Sequence, residues 1–95
     1  MNNQDIQLIE KEEVVALHFP KEEILQNEDE LSMRKLSIDR AIALGNLEHQ
    51  KVKIYFSDDK GLKLVDTTIW AVTDEAIVLK QNTVVPINRI HKLEI

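Results

Sequence analysis

The chain has no cysteine. Disulfides, thiolate metal sites and a cysteine nucleophile are thereby excluded. Glycine occurs only twice, at Gly45 and Gly61, too few for a glycine-rich loop that cradles phosphate. Aromatic residues are equally scarce, with one Trp, one Tyr and two Phe. The core must therefore rest on Ile, Leu and Val. No apolar run approaches the roughly 20 residues that cross a bilayer. Met1 to Lys11 shows no basic segment followed by an apolar one, so no signal peptide is expected. These absences make a soluble cytoplasmic protein with no cofactor and no membrane contact the expectation.

A basic excess is also missing. The net charge is −5 over 95 residues. Residues 1–45 hold ten acids and five bases, while residues 46–95 hold seven of each. All the excess acidity thus belongs to the first half, and binding to a polyanion through a general positive field is not favoured. The length fits one domain, and 43% hydrophobic with 31% charged residues is ordinary for a globular chain.

The first half reads as mainly helical. Met1 to Gln4 is polar and expected to fray, and Asp5 can cap a helix. Val14 to Phe19 alternates with period two and is read as a strand able to add to a sheet edge, although helical spacing also fits. Pro20 is placed to open a short helix through Leu25, followed by an acidic break at Gln26 to Glu30. Leu31, Lys35, Ile38 and Ile42 follow helical spacing, with Leu36, Ala43 and Leu44 widening the apolar stripe. Gly45 is placed to end that helix in the left-handed conformation. Ser37 could instead cap a shorter helix from Ile38.

After Asn46 the pattern changes to short β-branched runs between turn residues. Val52, Ile54 and Phe56 alternate with Lys51, Lys53 and Tyr55, as a strand with one buried face does. Ser57 to Gly61 is a hairpin turn. Leu62 to Thr73 is one long strand with no clean polar face, which a bulge or bend near Asp66 to Thr68 would explain. Ile77 to Lys80 and Val84 to Ile87 are further strands, separated by a turn in which Asn82 can take positive φ. Pro86 marks an edge or a corner. One helical turn at Asn88 to Ile90 leads to a last strand, His91 to Ile95, able to pair back onto the first.

These elements define an α+β domain over residues 1–95, with a helical region over 1–46 followed by a five-stranded antiparallel β-barrel over 47–95. The arrangement resembles the small SH3-like and Sm-like barrels. It is also similar to short uncharacterised bacterial proteins with a Leu-Gly-Asn element before the barrel, here Leu44-Gly45-Asn46. The resemblance implies binding of RNA or peptides, but a fold does not fix a function.

No catalytic signature is present. His18, His49 and His91 are isolated rather than paired at ligand spacing, and no metal site is expected. Asp58 and Asp59 are turn formers before they are an acid–base pair. Ser32, Ser37 and Ser57 lack flanking glycines. An enzyme would need residues distant in sequence, such as His49, His91 and Asp66, to converge.

A non-enzymatic interaction module is the leading expectation, binding a protein partner or a second copy of itself. The alternative is a nucleic-acid-binding barrel. Lys51, Lys53, Lys63 and Tyr55 interleave on the first hairpin and could track phosphates and stack a base, with Arg89 adding a cation. Asp58, Asp59 and Asp66 lie among them, however, and a solvated edge is the plainer account. Trp70, the sole tryptophan, is expected in the core or under the helix, with a partner-binding patch as the alternative.

Overall fold

The computed structural model describes residues 6–48, 51–80 and 83–95, with side chains for all of these except 44–48. In chain order the elements are β1 (Gln7–Leu8), α1 (Lys11–Val14), α2 (Glu28–Glu48), β2 (Val52–Ser57), β3 (Leu62–Thr67), β4 (Ile69–Val72), β5 (Ala76–Leu79), β6 (Val84–Pro86), a 3-10 turn (Ile87–Arg89) and β7 (Ile90–Glu94).

The strands form two open sheets, not a closed barrel. Sheet I has the order β1-β3-β2-β7, and sheet II the order β4-β5-β6. Three local features keep the ladder open. The expected long strand breaks at Thr68, so β3 and β4 belong to different sheets. Proline has no N–H to donate, and Pro86 is followed by the 3-10 turn before β7 starts. The far edge of β3 is taken by β1, which pairs with it in parallel, Gln7 opposite Lys63 and Leu8 opposite Leu64. The last strand does pair with the first of the C-terminal half: β7 runs antiparallel to β2 with Lys53 opposite Glu94 and Ile54 opposite Leu93.

The N-terminal part departs further from a helical region. Val14 to Phe19 is not a strand. Glu13 accepts a hydrogen bond from the Glu10 N–H at 2.7 Å, which nucleates α1. Val14 is then buried while Val15 points to solvent. The segment from Pro20 to Leu25 is not helical either. Its backbone is held from outside by Asn88, whose carbonyl accepts from the Ile24 N–H. The one long helix, α2, therefore lies in the middle of the element order. Asn27 opens it, accepting from the Glu30 N–H at 2.8 Å and donating to the Glu30 carboxylate at 2.7 Å. The helix runs past Ser37, which caps nothing; its hydroxyl donates to Arg34 O and accepts from Leu93 N–H. It also continues through Gly45 to Glu48. The expected features at Met1 to Gln4, Asp5 and Asn82 lie outside the described residues.

α2 packs on β7 and β4 and so spans both sheets. Among its described side chains, Ile38 and Ala41 are the buried apolar ones, with Ile42 packed beside them; Leu36 and Ala43 face solvent rather than widening the stripe, and the Leu44 side chain lies outside the described residues. The core joins the inner faces of the sheets: Val52, Ile54, Phe56 and Val65 from sheet I meet Ile69, Ile77, Leu79 and Val85 from sheet II. Phe19 packs on Phe56 with ring centroids 5.8 Å apart. Fully burying each such side chain contributes about 1.5–3 kcal/mol, and the aliphatic residues supply nearly all of it.

A candidate protein-interaction face

The basic strip expected on the first hairpin is largely taken apart by the fold. Lys51 and Lys53 are exposed. Lys53 stands in register with Asp66 on β3 and Glu94 on β7, so acids flank it on both sides. Tyr55 donates its hydroxyl to Glu94 at 2.9 Å, and the Lys92 ammonium lies 5.0 Å from its ring centroid. That hydrogen bond, helped by partial burial and the Glu94 charge, raises the Tyr55 pKa. The ring is thus engaged on its edge and covered on its face, unlike a stacking platform.

Lys63 and Arg89 turn inward. Lys63 is 5% exposed and Asp58 3% exposed, and they form an ion pair at 2.8 Å. The same Asp58 oxygen accepts from the N–H groups of Lys60 and Gly61, closing the hairpin turn in which Gly61 adopts φ +152. Burial would raise the Asp58 pKa, but the Lys63 ammonium and the two N–H donors outweigh it and hold the carboxyl below its ordinary value. Arg89 donates to three backbone carbonyls, those of Ser57, Glu22 and Asp58. A third buried cation, Arg34, makes a two-pronged contact with Glu23 and donates to Ile90 O at 3.0 Å. These three cations tie the irregular 15–27 segment and the hairpin to the sheets.

One unforeseen juxtaposition is Ser57 with His91, hydroxyl to Nε2 at 2.8 Å. Burial lowers the His91 pKa, the Arg89 and Arg34 charges add to this, and Glu30 opposes it. Asp66 lies at the opposite end of sheet I, level with Val52 to Lys53 rather than Ser57, so His91 and Asp66 do not converge. His49 lies outside the described residues.

Trp70 is not in the core. It is 63% exposed: strand alternation from the buried Ile69 turns it outward, and a bulge, in which Ile69 pairs with Leu79 but Ala71 with Val78, leaves Ala71 exposed beside it and sets both opposite Val78. Val78 in turn pairs with Val84, which is 47% exposed, and Ala76 pairs with Pro86. Alternation on β5 buries Ile77 and Leu79 and turns Ala76 and Val78 outward. The outer face of sheet II is consequently apolar across its middle, with Trp70 and Ala71 on β4, Val78 on β5 and Val84 on β6; the next row, Ala76 and Pro86, borders a pocket also lined by Phe19, Lys21, Glu23 and Arg34. On sheet II itself, charge lies at the ends of β5, as Asp74 and Glu75 in the preceding turn and Lys80 beyond Leu79; Lys21 and the ion pair of Arg34 with Glu23 line the pocket beside the acidic end. That turn is fixed by Thr73, whose N–H donates to Ala76 O and whose hydroxyl accepts from the N–H groups of Glu75 and Ala76.

A second exposed apolar group, Met33, Leu36 and Ile95, lines a groove between α2 and β7, but Arg40, Lys53 and Glu94 interrupt it. Sequence reasoning singled out Trp70 but missed the surface around it. The signal was present: Ala76 to Leu79 is apolar on both faces, which requires two covered faces or one left open. Compared with protein families, curated proteins and solved structures, the chain matches none.

Proposed function

We propose that this protein is a non-enzymatic interaction module that docks a protein partner on the outer face of sheet II. One observation carries the reading: a three-stranded sheet face with no charged or polar side chain across its middle and an exposed tryptophan on its edge strand. Contiguous apolar surface of this kind on a small domain marks a contact site. Tryptophan is among the residues that contribute most when buried in an interface. The nucleic-acid alternative loses two of its cations to buried contacts and its aromatic platform to Glu94 and Lys92. No helix among the described residues is long and apolar enough to cross a membrane, and we place the module in the cytoplasm.

A photo-crosslinking amino acid placed at position 70 tests the proposal, with the same group at Lys35, exposed on α2, as the control. Protein adducts formed in cells from position 70 and not from position 35 are expected. Absence of any protein adduct from position 70 would sink it.

A further inference from the structure

We infer that the partner is a second copy of this chain, docked face to face through sheet II with its strands antiparallel. The inference rests on the interaction reading and adds the identity of the partner and its register. The argument is charge complementarity. Along the central strand β5, the outer face begins with two acids, Asp74 and Glu75, and ends with one base, Lys80; Ala76 and Val78 lie between. Two arrangements related by a twofold axis in the sheet plane can stack this face on itself. An axis along the strands keeps β5 parallel to the partner's β5 and sets Lys80 on the partner's Lys80, acids on acids. An axis across the strands reverses β5 and sets Lys80 of each copy against the partner's Asp74 and Glu75. Like charges brought together across an interface cost several kcal/mol, so the pattern selects the antiparallel form.

The midpoint between the acidic turn and Lys80 falls near Ile77 and Val78. Trp70 is level with Val78, on the edge strand β4. Reversal about an axis across the strands lays β4 over the partner's β4, so the two tryptophans meet near the axis in the middle of the apolar patch. Such an isologous, self-complementary contact is the commonest form of protein dimer.

Sedimentation equilibrium of the intact protein and its charge variants tests the inference. The unaltered chain is expected to pass from monomer to dimer mass with concentration, and Trp70→Glu to remain monomeric. Lys80→Glu alone, and Asp74→Lys with Glu75→Lys, should each weaken self-association by at least about tenfold. Mixing these two variants should restore it, because both ends of the pairing are then opposite in sign. A monomer at every concentration would overturn the inference, as would a dimer unaffected by Trp70→Glu. Weakened single variants that fail to recover on mixing would overturn the antiparallel register. Crosslinks from position 70 that reach only other proteins would also overturn it, while leaving the interaction reading standing. Circular dichroism of each variant separates lost association from lost folding.

Discussion

Replacing Lys63 by methionine separates the two readings of the first hairpin. On a phosphate-tracking strip, Lys63 would be solvated, and its loss would change stability by less than about 0.5 kcal/mol. Here it is buried against Asp58, whose carboxylate also receives two backbone N–H groups. Lys63→Met keeps the stem and removes the charge, leaving a buried carboxylate with its two N–H donors. Breaking one side of a buried pair costs about 3–5 kcal/mol; the retained donors put this variant near 3 kcal/mol. For a domain of this size that corresponds to a melting temperature lower by about 15 °C. It is a large share of the roughly 5–15 kcal/mol that holds a domain together. Asp58→Asn should cost as much, because it strands the ammonium. The double variant should recover part of the loss, giving a coupling of about 1–3 kcal/mol in a double-mutant cycle. The dependence on pH follows from the depressed folded pKa of Asp58. Its contribution is present above the unfolded carboxyl value, near 3.9, and is lost as pH falls through the folded value. The gap between the unaltered protein and Lys63→Met should therefore close in strong acid. Urea titrations followed by circular dichroism read all of this. A Lys63→Met variant as stable as the parent at neutral pH would refute the buried-pair reasoning and return Lys63 to the surface.

His91 has a depressed folded pKa, so its neutral form favours the fold. Stability should fall as pH drops below the ordinary value of 6.5 and through the folded one, and His91→Gln should flatten that part of the profile; an unchanged slope between pH 7 and 5 would contradict the assignment. Arg34→Met removes the contacts to Glu23 and Ile90 O and should cost about 2–4 kcal/mol, with earlier proteolysis between Phe19 and Asn27 than in the parent. Single-stranded oligonucleotides should show no binding by fluorescence anisotropy even at about 50 mM salt; salt-sensitive binding lost on Lys51→Ala or Lys53→Ala would revive the alternative.

Much of the β region was legible because burial there follows a period of two. Val52, Ile54 and Phe56 are among the most buried residues, and the turn at Asp58 to Gly61 uses both residues that turn chemistry singled out. The pairing of the last strand with β2 followed from the same pattern. What periodicity could not supply was closure. Whether strands wrap into one ladder depends on where hydrogen bonds stop, and here they stop at Thr68 and at the turn after Pro86. The N-terminal part failed for another reason. Val14 to Phe19 reads as a strand with helical spacing as the alternative, and it is neither: the capping contact at Glu13 fixes a short helix that ends at Val14, and the chain from Val15 to Phe19 is turn and irregular. Pro20 to Leu25 lacks the intrinsic strength to be helical, and its shape is set by distant Asn88 and Arg89. The site shows the same division. Charge counting gave a neutral second half, but only the tertiary fold revealed that Lys63 and Arg89 face inward. Trp70 is at the surface instead of the expected core because alternation from the buried Ile69 turns it outward, and the bulge beside it adds Ala71 to the same exposed face.

Trp70 is the chain's only tryptophan, so its emission reports on the sheet II face without a label. Emission and molecular mass measured together over a dilution series test that face most directly. The account predicts that emission shifts to shorter wavelength over the same concentrations at which the mass doubles, as the exposed indole becomes buried. Doubled mass with unchanged emission would mean that the copies meet elsewhere, and would contradict it.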